Sequence, residues 1–175
     1  ALSPEPSHTD EKLIVNTSQY STGLDQHEIE YSTFDPGEGW TGNQILQGQT
    51  IDYTLSGISG AVTADGPPLL EVLLVGRGLM AHQGDILVGN AQRQAGSFTF
   101  EGYSAHTAAV TLQWSDVAPD GTLPVRVRCN GVAGGVDRVS VSYLKVRYPQ
   151  LLDMQSAAEK VFELTGGKPL TFANI

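Results

Sequence analysis

The chain has 175 residues, 19 of them acidic and 10 basic, for a net charge of -9. That length suits a single domain with its own core, and the acidic balance argues against nucleic acid, whose phosphates need a basic face. One cysteine, Cys129, excludes an internal disulfide and a cysteine-based zinc site within one chain.

Charged residues make up 17% of the chain, below the ~25% typical of soluble domains. With many Gly, Ser and Thr, this suits a β-rich protein of an extracytoplasmic compartment. No apolar run approaches the ~18 residues a membrane-spanning helix needs. The opening Ala1-Leu2-Ser3-Pro4-Glu5-Pro6-Ser7 has neither an initiator Met nor a signal peptide. It reads as the interior of a longer polypeptide or a processed start, so the chain is treated as a fragment.

Residues 1–11, with Pro4, Pro6, Ser7, Asp10 and Glu11, read as a linker, and 12–175 as one domain. Residues 13–15 form a short strand. Asn16-Thr17-Ser18 is a turn that also fits the glycosylation acceptor pattern. Residues 27–34 suit a strand ending at Asp35-Pro36-Gly37; Gly39-Trp40-Thr41-Gly42 follows, then a strand over Thr50–Leu55. After Pro67-Pro68, residues 69–75 are apolar on both faces, as a central, doubly covered strand requires. Residues 86–88 give a short strand bounded by Gly84 and Gly89.

Residues 96–148 then carry four apolar/polar alternations. Phe98 and Phe100 oppose Ser97, Thr99 and Glu101; Val110, Leu112 and Trp114 oppose Ala109, Thr111 and Gln113. Leu123, Val125, Val127 and Cys129 oppose Pro124, Arg126 and Arg128, and Val139, Val141 and Tyr143 begin the fourth. Period two puts alternate side chains on opposite faces, one buried and one wet, and the four strands read as one layer of a sandwich. In the fourth, the inward phase moves to Leu144, Val146 and Tyr148, which implies a β-bulge near Tyr143-Leu144; Pro149 ends it. Residues 153–164 combine a capping-box pattern at Ser156 and Glu159 with an alternation at Phe162, Glu163 and Leu164. They read as a turn and a strand, with a last strand at 170–172. About ten strands predict an all-β fold, a two-sheet antiparallel jelly-roll β-sandwich.

Chemistry is sparse in this pattern. His8, His27, His82 and His106 lie far apart, with no His-x-His pair of the kind a β-barrel metalloenzyme uses. Gly102-Tyr103-Ser104-Ala105-His106 sits between strands, without the strand-to-helix elbow a nucleophilic serine needs. Gly76-Arg77-Gly78 is a tight turn with no helix after it to bind phosphate. The phase of Cys129 makes it a buried, inert thiol. Arg126, Arg128, Arg138, Lys145 and Arg147 read as the solvent face of a sheet. Asp35/Glu38 and Asp116/Asp120 offer oxygen ligands for a structural calcium, but Asp beside Pro or Gly also serves turns. No catalytic residue, metal ligand or cofactor is assigned. Trp114 reads as core, and Trp40 as a core plug, with a sugar-stacking platform as the other reading.

The order His27-Glu28, then Phe34-Asp35-Pro36-Gly37-Glu38-Gly39-Trp40-Thr41-Gly42, resembles an opening found in gingipain-like cysteine peptidases. It is most similar to the N-terminal region of the type IX secretion sortase and its relatives. Leu87-Val88-Gly89, Gly96-Ser97-Phe98-Thr99-Phe100 and the stretch 137–149 agree in order. The resemblance implies a non-catalytic jelly roll that packs against a catalytic domain further along the same polypeptide, in a secreted or surface bacterial protein. It carries over no catalytic residue. The alternative is a carbohydrate-binding module, with Trp40 or exposed tyrosines stacking on sugars. An exposed row of aromatics favours the module; buried tryptophans favour the scaffold, and the phases above predict no exposed aromatic pair, the platform that sugar stacking needs.

Overall fold

The computed structural model describes residues 7–20 and 39–154. The strands expected at 27–34 and 170–172, most of 153–164, His27 and the Asp35/Glu38 cluster lie outside those residues.

Eleven strands run through the described residues: β1 His8–Val15, β2 Gln19–Tyr20, β3 Trp40–Thr41, β4 Ile45–Leu46, β5 Thr50–Leu55 and β6 Leu69–Gly76, then β7 Ala81–Val88, β8 Arg93–Glu101, β9 Ala105–Thr111, β10 Leu123–Cys129 and β11 Arg138–Gln150. One sheet has the order β1-β11-β6-β9, with β4 added to β11; the other has the order β5-β10-β7-β8. All pairings are antiparallel, and β2 and β3 form a separate ribbon. This is the jelly-roll sandwich expected from the alternation. The four alternating segments do not form one layer, however. β8 and β10 belong to one sheet, β9 and β11 to the other. Period two tells which face of a strand is buried, not which sheet the strand joins.

The core lies between the sheets. Val125, Val127 and Cys129 of β10, Ile86 and Val88 of β7 and Phe98 of β8 meet Leu70, Val72 and Leu74 of β6 and Val139, Val141, Leu144 and Val146 of β11. At ~25 cal/mol per Å² of apolar surface removed from water, such side chains contribute roughly 1.5–3 kcal/mol each. Burial in β10 alternates without a break, as its sequence requires. In β11 the register slips between Val141 and Tyr143, so the expected bulge falls at Ser142. On β6, outward-facing Leu73 and Val75 are buried as well, so this strand is covered on both faces.

Other boundaries differ, each for a physical reason. β1 starts at His8, inside the stretch read as a linker, because His8 is buried and its Nε2 bonds Gln150 Oε1 at 2.9 Å. β7 is eight residues long rather than three. Gly84 lies inside it, since a Cβ there would come within 2.1 Å of the Arg128 carbonyl and 2.3 Å of the Phe98 ring. Here glycine marks a close approach, not an end. β9 stops at Thr111, and Trp114 opens a 3-10 turn, Trp114–Asp116. β11 continues through Pro149 to Gln150.

Candidate functional site

The β2–β3 ribbon lies over β11. The Trp40 carbonyl accepts a bond from Ser142 Oγ (2.7 Å), and the amides of Asn16 and Gly42 donate to the Ser142 and Val141 carbonyls (both 2.8 Å). The bulge turns Ser142 outward for this role. Asn16 Nδ2 donates to the Val141 carbonyl at 3.1 Å, so the Asn16 amide is engaged in holding the fold, against its reading as a glycosylation acceptor.

Register pairs Tyr20 directly with Trp40, and Gln19 with Thr41. Thr41 is buried, so the alternate pair faces outward. Tyr20 is 57% exposed and Trp40 41%, their rings meeting edge to face with centroids 5.3 Å apart and planes at 66°. Trp40 is therefore no core plug. The expected absence of an exposed aromatic pair is overturned as well. The pair went unseen because its partners are twenty residues apart in ribbons of two residues, too short for any periodicity. Trp114 is half-buried as a lid on the core, its Nε1 donating to the Gly66 carbonyl (3.0 Å) and its ring meeting Tyr148 edge on.

A second cluster is buried. His82 Nδ1 lies 2.5 Å from Asp137 Oδ1, and its Nε2 lies 3.1 Å from the Gly102 carbonyl. Both ring nitrogens face oxygen atoms, so the ring is fixed from two sides. Asp137 Oδ2 also accepts from the Gln83 amide (3.1 Å). Cys129 joins the cluster: burial first, then the neighbouring Asp137 carboxylate, which disfavours a thiolate, pushes its thiol up to about 12. A reactive cysteine needs the opposite environment, electropositive and open. Cys, His and Asp thus meet here as a structural knot. No sequence spacing signals it, because the His82 and Asp137 side chains arrive from segments 55 positions apart.

The remaining candidates are occupied by structure. Ser104 Oγ donates to the Glu101 carbonyl, while His106 stacks on Phe100. Asp116 takes the Arg93 guanidinium through two bonds, and Asp120 caps Thr122. Among the described residues, no group of His, Cys, Asp and Glu is placed to hold a metal ion. The basic stripe divides between the sheets and is mostly neutralised: Arg126 pairs with Asp52, Arg128 with Asp85, Lys145 with Glu71 and Arg147 with Glu11.

No family model matches the chain, and no curated protein matches its sequence. Solved structures do resemble it. Dimeric latent PorU from Porphyromonas gingivalis aligns over 95% of this chain at 10% identity with a TM-score of 0.52, and this chain spans 15% of that one. The CBM36-1 domain of a multidomain xylanase from the hindgut metagenome of Trinervitermes trinervoides aligns over 78% of this chain and 96% of its own, at 14% identity and a TM-score of 0.48. A carbohydrate-binding module CBM36 in complex with calcium and xylotriose aligns over 79% and 98%, at 10% identity and a TM-score of 0.43. At such identities the likeness is one of fold. Among the described residues no helix is long and apolar enough to cross a membrane.

Proposed function

We propose that this chain is a recognition module without a reaction of its own, and that it holds a glycan against Tyr20 and Trp40. The observation that carries the reading is the exposed edge-to-face pair. Water-exposed aromatic faces suit the apolar C–H face of a sugar ring, and an indole N–H and a phenol O–H can bond its hydroxyls. The edge contact restrains both rings before binding, which lowers the ordering cost. Affinity electrophoresis against xylan, mannan, β-glucan and polygalacturonate tests it. At least one polymer should retard the chain, and Trp40→Ala should abolish the retardation while the chain still unfolds in one cooperative transition. Equal mobility in every polymer, or retardation indifferent to Trp40→Ala, sinks the reading.

A second reading is supported by the motif resemblance and by the fold likeness to PorU over nearly the whole chain. In it the sandwich is an accessory domain of a secreted, gingipain-like bacterial protein and packs against a catalytic domain of the same polypeptide. Leu13 and Val15, exposed on the outer strand β1, would supply apolar contact. Independent melting of this sandwich inside the longer polypeptide would refute that docking. Both readings place the domain outside the cytoplasm.

A further inference from the structure

Among the described residues, every lysine and arginine lies within ion-pair distance of a carboxylate except Arg77 and Arg138. Those two line the same hollow, of about 530 Å³, together with Leu79, Met80, Tyr103 and Val136. In a chain of net charge -9, two cations at one spot with no ion-pair partner among the described residues stand apart from the other basic side chains. Arg77 is half-buried. Its Nη2 makes one long bond to Gln19 Oε1 (3.4 Å), and its Nη1 is buried with no hydrogen-bond partner. Burial pulls the guanidinium below its ordinary value, although the nearby Tyr103 opposes this. A desolvated guanidinium with unused donors is an incomplete interaction, and a carboxylate is the group that matches its planar fork.

The rest of the lining says what accompanies that carboxylate. Leu79 is 50% exposed and Val136 62%. Met80 lies against Gly135, where a Cβ would come within 2.7 Å of its methyl. Methionine, arginine and tyrosine are enriched where proteins meet, and Leu79 and Val136 add exposed apolar surface beside them. A sugar site favours a flat ring and neutral hydrogen-bonding groups instead. The frame is held in place. The Arg77 amide donates to the Arg138 carbonyl (3.0 Å), the Gly102 amide to the Met80 carbonyl (3.0 Å), and the Gly76 amide to the Ser104 carbonyl (2.9 Å). The buried His82–Asp137 pair joins the segments that bear Met80 and Val136 from beneath.

We propose that this hollow docks an acidic, apolar peptide segment of another polypeptide, its carboxylate taken by Arg77 and Arg138 and a leucine-sized side chain resting on Leu79, Met80 and Val136. The inference is independent of the glycan reading, because it uses neither Tyr20 nor Trp40. The test is amide chemical-shift mapping of the isotope-labelled chain titrated with N-acetyl-Leu-Asp-Leu-amide and with its Asn counterpart. Shifts should cluster at residues 77–80, 102–104 and 136–138. The Asp peptide should bind roughly tenfold more tightly than the Asn peptide, as expected for a charge-assisted pair, and should weaken with salt. Arg77→Gln should remove most of that preference and Arg77→Lys only part of it. Arg138→Gln, an exposed change with no consequence for folding, should lower the affinity for the Asp peptide several-fold, and Trp40→Ala should leave it unchanged. Equal affinity for the two peptides, or shifts confined to other surfaces, overturns the proposal. So does trigalacturonate shifting these amides when the peptides do not.

Discussion

His82 and Asp137, both withdrawn from solvent, meet with Nδ1 and Oδ1 2.5 Å apart and fasten the start of β7 to the segment that leads into β11. The two strands belong to different sheets. The pair is therefore a polar clasp across one end of the sandwich, and its packing leaves no room for a side chain at position 76: a Cβ on Gly76 would sit 2.5 Å from His82 Nε2 and 2.1 Å from the Gly102 carbonyl.

Removing one half of this clasp should be costly. Asp137→Ala leaves a buried imidazole facing no carboxylate and should lower unfolding free energy by about 3–5 kcal/mol, the range for breaking a buried pair. The double variant His82→Leu/Asp137→Ala should lose less than the sum of the single changes, because each single change already breaks the one His82–Asp137 contact. Urea unfolding of the four proteins measures both; strict additivity would show that the two groups are not coupled.

Stability should fall in alkali with a specific contribution from Cys129. Burial, followed by Asp137, raises its thiol to about 12, and burial raises the Tyr53 hydroxyl to about 12. A group raised on folding stabilises fully below its unfolded value and loses that stabilisation as pH climbs towards the folded one. The window opens near 9 for Cys129, near 10 for Tyr53, and closes near 12 for both. Within it each group contributes a slope of up to about 1.4 kcal/mol per pH unit. Urea midpoints between pH 8 and pH 11 should fall less steeply for Cys129→Ala than for the parent. An unchanged slope would mean the thiol is not held protonated by the fold.

The acid limb has a different carrier. Burial pushes Asp116 up, but the Arg93 fork and the Gln113 amide more than offset it, so the carboxyl lies below the usual value of 3.8. A depressed group stabilises above its unfolded value and loses this as pH falls through the folded one. Arg93→Gln should therefore flatten the loss of stability below about pH 4 and cost about 1.5–3 kcal/mol at neutral pH, the scale for hydrogen bonds to a charged group. Thermal melts at pH 7 and pH 3 check both parts.

Two glycines should respond differently to alanine. Gly84→Ala drives a methyl against the Arg128 carbonyl and the Phe98 ring and should destabilise by roughly 1–3 kcal/mol or more through overpacking. Gly48 has φ +80° with open space around it, so alanine there meets only backbone strain, about 1–2 kcal/mol. A larger loss at position 48 than at 84, read from melting temperatures, would contradict this ranking.

Legibility in the sequence followed the reach of each interaction. β5 and β10 were readable to the residue because alternation over six or seven positions depends only on which face meets the core. β7 was truncated because Gly84, Asp85 and His82 break the apolar pattern, although His82 and Asp85 are buried. His82 is held by Asp137, while Asp85 accepts from Gln94, Arg128 and Asn130. Such partners sit on other strands or in the segment between β10 and β11, and leave no local mark. The same holds at the candidate site. Trp40 flanked by glycines gives no phase, and its exposure depends on a two-residue pairing with Tyr20. Arg77 looked like part of a turn. Only the inventory of ion pairs across both sheets singles out Arg77 and Arg138.

The pairing of His8 with Gln150 and of Val15 with Tyr143 has a mechanical consequence. Both outer ends of this ladder emerge at the same edge, so tension transmitted along the polypeptide meets its hydrogen bonds one after another, as a zipper opens, rather than loading them together in shear. The sandwich should thus yield at low force by peeling β1 from β11. The apolar inner side of β11 would then be the first core surface reached by water.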